Sequence, residues 1–251
     1  MRVYIGWDPH EMMAWNIAAA SMQQHARQHL DIRRLAMEEL QAKNLYTRPT
    51  VVVDGRLHDV VSDAPMSTGH AIARFFVPML QEYEGWALFT DGDVLVRQDI
   101  YKLFAFADPQ YAVMCVQHAP GEGGASYEVK KDGAPQQPYP RKNWSSVMLF
   151  NCAHPLNRAL TLHGLNHLPG RDLHRFCWLE DRDIGALPIA WNYLVGISPH
   201  HDDPALVHFT LGTPHLPNAV ASPYDAEWIH YGMRCGYSTL RVLLNSKVTF
   251  T

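Results

Sequence analysis

The sequence predicts an α/β fold built on a mainly parallel sheet flanked by helices, and three observations carry that expectation. The chain runs from a short apolar strand through a helix-periodic segment into a second strand, the pace of a parallel unit. The apolar run Trp86-Ala-Leu-Phe-Thr90 has the character of a central strand buried on both faces. With 47% hydrophobic and 18% charged residues in 251, the chain can bury a full core, which excludes disordered and fibrous classes.

The first strand spans Val3 to Ile5 and closes on Gly6-Trp7-Asp8-Pro9. From His10 to His29, the apolar residues Met13, Ile17, Ala18 and Met22 recur at helical spacing, and Leu30 to Leu35 supplies a second strand. Ser67 or Thr68 is placed to cap a helix running to about Glu82, with Pro78 kinking it or ending it early. The central strand stops abruptly at Asp91-Gly92-Asp93, and Val94-Leu-Val96 resumes the apolar pattern. Tyr111 to Val116 and Val147 to Phe150 read as further buried strands, with helical segments expected around 155–163 and 172–179. Leu206 to Phe209 is a last short strand. Between His118 and Asn143, four Gly and four Pro with little apolar periodicity predict a long mobile loop, either functional or a variable insertion. No repeat or linker interrupts the chain, so one domain over 1–251 is expected.

The net charge of -4 argues against a basic nucleic-acid-binding surface, although the 15 histidines raise it as pH falls towards 6. Cys115, Cys152, Cys177 and Cys235 are scattered with no C-x-x-C pair and are expected as free thiols. No charged-then-apolar leader opens the sequence and no run approaches about 18 apolar residues, so a soluble cytoplasmic protein is expected.

Asp91-Gly92-Asp93 is the most informative tripeptide. Open α/β sheets bind ligands beyond the carboxyl ends of their strands, and two carboxylates placed there repel unless a divalent cation or a cationic partner joins them. Gly92 lets the backbone bend so that both converge. A solvated turn would carry the same residues, and His208 on its apolar strand would serve equally as a hydrogen-bonded core histidine. His200-His201-Asp202-Asp203 is the competing metal cluster, with a solvated loop as its plain alternative.

Taken together, the motifs resemble retaining glycosyltransferases of the GT-A fold, in particular glycosyltransferase family 8. Val3-Tyr-Ile-Gly6-Trp7-Asp8 is similar to their nucleotide-binding start, Asp91-Gly92-Asp93 to their D-x-D motif, and Ala73-Arg74-Phe75-Phe76 to the arginine-bearing helix before it. Ser145-Ser146-Val-Met-Leu-Phe-Asn151, Glu180-Asp181-Arg182-Asp183-Ile184, Pro188-Ile-Ala-Trp191-Asn192 and His208-Phe-Thr-Leu-Gly212 follow in the family's order. The resemblance implies a mixed, mainly parallel Rossmann-like sheet. Its nucleotide-binding part lies over about 1–115 and its acceptor-side part over about 116–251.

The same resemblance implies a UDP-sugar donor and a divalent ion, Mn²⁺ or Mg²⁺, held by Asp91, Asp93 and His208. The mixed oxygen and nitrogen set favours Mn²⁺. Asp8 is the candidate partner of the uracil ring, Gly6 leaves room for the base, and Trp7 either stacks or packs. Ser145, Ser146 and Gly212 fall in the donor-binding motifs, and Arg74 is placed to hold a D-x-D carboxylate or a sugar hydroxyl. Asp181 and Asp183 are the candidates for sugar hydroxyls, with Arg182 standing where the family has glutamine. The family's lysine beyond the metal histidine is absent, which passes phosphate contact to His215. Retention implies front-face attack, with the leaving phosphate as base and Asp181 as the fallback nucleophile. Trp228 and Tyr231 are expected to stack on an acceptor that is a glycan, a lipid, a protein or a modified nucleic-acid base. Two other readings stay open: a divalent-metal phosphoesterase, and a non-catalytic nucleotide-sugar-binding protein.

Overall fold

A computed structural model describes residues 1–119 and 141–243; most of the loop expected between His118 and Asn143 therefore lies outside the described residues. The strands are β1 (Arg2–Gly6), β2 (Asp31–Leu35), β3 (Thr50–Val53), β4 (Arg56–Asp59), β5 (Ala64–Pro65) and β6 (Trp86–Thr90). They continue as β7 (Val94–Val96), β8 (Val113–Cys115), β9 (Val147–Asn151), β10 (Ile184–Ala186), β11 (Tyr193–Leu194) and β12 (Leu206–His208). Among the described residues the helices are α1 (Met12–His25), α2 (Met37–Ala42), α3 (Val77–Leu80), α4 (Ile100–Phe104), α5 (Leu162–His167), α6 (Gly170–His174) and α7 (Asp225–Arg234).

The main sheet has the order β10-β8-β9-β6-β1-β2. β1 pairs parallel with β2 and β6, and β10 parallel with β8; β9 alone runs the other way, between β6 and β8. The sheet is thus mixed and mainly parallel, and Trp86–Thr90 occupies its centre. Successive residues feed opposite cores: Ala87 and Phe89 join one apolar cluster with Phe75, Phe76 and Phe150, while Leu88 joins the other with Ile5, Val3 and Leu149. That two-sided burial is why the strand reads as a continuous apolar run.

A second sheet, β11-β12-β7, stacks against α1 and α7 through Ile17, Leu95, Phe209 and Trp228. The chain passes from one sheet to the other within three residues, since β6 ends at Thr90 and β7 begins at Val94. Asp91, Gly92 and Asp93 make that crossing. A Cβ on Gly92 would come within 2.8 Å of the Gly6 carbonyl oxygen, so the crossing passes too close over β1 for any larger residue.

Three local outcomes differ from the sequence expectation. The segment from Ser67 to Glu82 is no single helix: it forms a 3-10 turn at Ala73–Phe76 and the short α3, with Pro78 in the first turn of α3, where a missing N–H does no harm. The stretch around 155–163 divides likewise into a 3-10 turn, Pro155–Ala159, and α5. A third sheet, β3-β4-β5, was not expected, and it leaves Val51, Val52 and Val53 exposed. All four cysteines are unpaired; Cys115 and Cys152 are buried, and burial pushes the Cys152 thiol up to about 12. No helix among the described residues is long and apolar enough to cross a membrane.

Candidate metal centre at the sheet crossing

Asp91, Asp93 and His208 converge, each offering a ligand atom within 4.8 Å of the others. Backbone register produces this. His208, the last residue of β12, lies opposite Val94 of β7, and the Phe209 amide bonds the Asp93 carbonyl at 3.0 Å. His208 Nε2 is therefore 3.0 Å from Asp93 Oδ1 and 4.0 Å from Asp91 Oδ2. Asp91 is fixed from the other sheet, its amide donating to the Ser146 carbonyl at 2.9 Å.

Around this triad the polar groups are ordered. His208 Nδ1 bonds Asn192 Oδ1 at 3.0 Å; Asn192 Nδ2 donates to Ser146 Oγ at 2.9 Å, and Ser146 Oγ donates to the Asn143 carbonyl at 2.7 Å. This chain fixes the proton on Nδ1 and turns the Nε2 lone pair towards the carboxylates, the arrangement of a ligating imidazole. Asp91 Oδ1 meets Arg74 Nη2 at 2.9 Å and His70 Nε2 at 3.2 Å. Burial drives the Asp91 carboxyl upward, but the Arg74 charge and the His70 hydrogen bond outweigh it and leave the group below the usual carboxylate range. Two carboxylates and one imidazole nitrogen, nearly buried and facing one another, fit a divalent cation by donor chemistry alone.

The remaining expected site residues fall into distinct places. Arg74 holds Asp91 of the D-x-D pair rather than standing free, and its Nε donates to the Ala71 carbonyl at 3.0 Å and its Nη1 to the Ser145 carbonyl at 2.8 Å. Ser145 and Ser146 are buried, and the Ser145 hydroxyl pairs with His174 Nδ1 at 2.7 Å. Asp8 accepts from the Gly69 amide at 2.7 Å and from the His10 amide at 2.9 Å. Burial raises its carboxyl, and these amides more than offset the rise. Trp7 meets Trp15 edge-on at 5.8 Å, and the Arg34 guanidinium lies 4.8 Å over its ring. The space beside Gly6 is filled by the His70 ring, which a Cβ there would meet at 2.3 Å. Gly212 has φ +114, a glycine conformation that turns the chain back, and His215 stacks on Trp228 at 5.5 Å.

Asp181, Arg182 and Asp183 form a 3-10 turn just ahead of β10. Ile184 lies level with Val113, Phe150 and hence Ala87, near the start of β6, whereas Asp91 follows its end. Asp181 pairs with Arg141 at 2.6 Å, Asp183 accepts from the Glu180 amide at 2.9 Å, and Arg182 pairs with Glu180 at 3.0 Å.

One expectation is corrected outright, and one competing alternative is set aside. Trp228 is 0% and Tyr231 7% exposed, packed between α1 and the second sheet, so neither offers a stacking face to an acceptor. The His200–Asp203 run does not converge either: His200 pairs with Asp202, and Asp203 with Arg97, on the surface. Among the described residues, Asp91, Asp93 and His208 are the one group of three metal-ligating side chains.

The crossing-point triad and the mixed sheet together define a class: this is the GT-A glycosyltransferase fold. Superposition bears it out with GlyE of Streptococcus pneumoniae TIGR4, at TM-score 0.59, 16% identity and 98% of this chain. The bifunctional WbbM gives TM-score 0.56, 16% identity and 93% of this chain. Galactosyltransferase LgtC, solved with donor and acceptor sugar analogues, gives TM-score 0.56 and 14% identity over 93% of this chain and 96% of that one. This chain spans 52% of WbbM and 63% of GlyE.

No protein-family model matches the sequence. It is 39% identical over 220 residues to Protein CDI of Arabidopsis thaliana, covering 85% of this chain and 78% of that protein, and it belongs to the CDI family.

Proposed function

We propose that the protein is a metal-dependent, retaining glycosyltransferase of the family 8 type, moving a hexose from a UDP-sugar to an acceptor. The supporting observation is the convergence of Asp91, Asp93 and His208 at the crossing between the two sheets. In this reading those three side chains hold Mn²⁺ or Mg²⁺, which when bound supplies Lewis-acid stabilisation of charge on the leaving diphosphate. Asn192 keeps His208 in the ligating tautomer, and Arg74 orients Asp91. Asp8 and Trp7, at the end of β1, border the base side, and His215 beyond the Gly212 turn is the phosphate contact. Asp181 and Asp183 are the sugar-hydroxyl contacts of this reading. The side chain of Asp181 must exchange Arg141 for a sugar hydroxyl to fill that role.

The rival phosphoesterase reading would use Asp91, Asp93 and the histidines, and the surface pairing of His200–Asp203 gives it no second metal cluster. A panel of UDP-sugars assayed for Mn²⁺-dependent hydrolysis and transfer tests the proposal. Turnover of one donor that vanishes on chelation supports it. Turnover of simple phosphoesters with no nucleotide requirement overturns it, and metal-dependent UDP binding with no turnover of any sugar points to an idle binding protein.

A further inference from the structure

One buried histidine beside the triad has no part in the reading so far. His70 is 1% exposed and sits where the chain approaches the 3-10 turn at Ala73–Phe76. Its ring fills the space beside Gly6 and lies 6.3 Å from the Phe89 ring in the sheet centre. Apolar packing alone would call for a phenylalanine or leucine there, because His70 Nδ1 is buried with no hydrogen-bond partner, a cost to the fold. What the imidazole adds is Nε2, 3.2 Å from Asp91 Oδ1. Arg74 reaches that same oxygen at 2.9 Å, while Asp91 Oδ2 points towards His208 Nε2 at 4.0 Å.

We propose that His70 is a positioning residue of the metal centre: by donating from Nε2 to Asp91 Oδ1 it fixes the carboxylate plane, so that Oδ2 alone is presented to the cation. Arg74 by itself supplies one donor and leaves the carboxylate free to rotate about that contact; a second donor from a different direction removes the rotation. Gly6 belongs to the same device, since any Cβ at that position would push the ring away from Asp91. The inference rests on the metal-site reading above and assigns a function to a residue that spacing alone marks only as one turn from Arg74.

The test is Mn²⁺ binding to the metal-free protein, followed by the electron paramagnetic resonance of free Mn²⁺, without nucleotide and without turnover. His70→Phe keeps the packing and removes the donor; its Mn²⁺ affinity is expected to fall about 10- to 100-fold. His70→Gln, whose amide nitrogen reaches the position of Nε2, is expected to recover to within about threefold of wild type. Wild-type affinity in His70→Phe, or equal losses in both variants, overturns the positioning role and leaves the metal reading intact. If wild type itself binds no Mn²⁺, the metal reading fails and this inference falls with it. Should His70→Phe not fold, Gly6→Ala reads the same contact by displacing the ring, and undiminished Mn²⁺ binding in that variant overturns the proposal.

Discussion

Neutralising Asp93 separates the cost of assembling the triad from the gain on loading it, because the two move stability in opposite directions. With the ligand atoms no more than 4.8 Å apart, two carboxylates at an effective dielectric near 20 repel by about 3.5 kcal/mol or more. Arg74, 2.9 Å from Asp91, already offsets much of that charge, so Asp93→Asn is expected to relieve about 1 kcal/mol in the metal-free protein. For a chain of this size that raises Tm by about 2–4 °C. With Mn²⁺ and UDP at about a hundred times their dissociation constant, wild type gains about 2.7 kcal/mol. If the lost ligand weakens binding about 100-fold, the variant gains only about 0.4 kcal/mol under the same conditions. The melting curves should therefore cross: the variant is the more stable protein without ligand and the less stable with it. Activity should fall about 10²-fold or more. Scanning fluorimetry with and without Mn²⁺ and UDP reads both signs. A variant that melts lower without metal and keeps the full ligand shift refutes the reasoning.

Asn192→Leu removes the acceptor that fixes the His208 tautomer and should weaken Mn²⁺ binding about 10- to 100-fold, read by calorimetry. Asp59→Asn leaves Arg48, whose side chain is fully buried, without its charge partner and should cost about 3–5 kcal/mol in urea unfolding at neutral pH. Burial raises the Asp59 carboxyl, but the Arg48 and Ser62 hydrogen bonds bring it below its ordinary value. Its stabilising contribution is therefore complete above the unfolded carboxylate pKa of about 4 and is lost as pH falls through the lower folded value, so the gap between wild type and Asp59→Asn should close in acid. Trp228→Ala should cost about 3–5 kcal/mol of stability, with no selective rise in the KM of an acceptor, because the ring is wholly buried.

Much of the centre was legible because it follows from one-dimensional signals. A five-residue apolar strand ending on two acids announces the carboxyl end of a sheet, and Trp86–Thr90 appears in the structure with those bounds. His208 was legible through the pattern His208-Phe-Thr-Leu-Gly212. The support around it was not, since Ser146 just before β9 and Asn192 just before β11 meet His208 on β12 only in the folded chain. The turn at Asp181–Asp183 was singled out by its resemblance to a family motif, whereas its place in the fold is set by the β10–β8 register, which no local pattern encodes. The β3–β4 hairpin did carry a signal that the reading passed over. Asp54-Gly55, directly after three valines, is a two-residue turn, and both residues have positive φ, at 50 and 75. Trp228 and Tyr231 illustrate the converse error, in which aromatic residues that suit a sugar face equally suit a core.

The passage from Thr90 to Val94 leaves Asp91 anchored to one layer while Asp93 and His208 ride on another. An ion gripped by all three would act as a rivet across a seam that is otherwise joined by side-chain packing and a few backbone bonds. Amide exchange along β7 and β12 should then slow on loading, even at positions far from any ligand atom. The grip on the cation and the stiffness of the seam become a single quantity, so mutations that loosen α7 against the second sheet should weaken metal affinity without touching the centre.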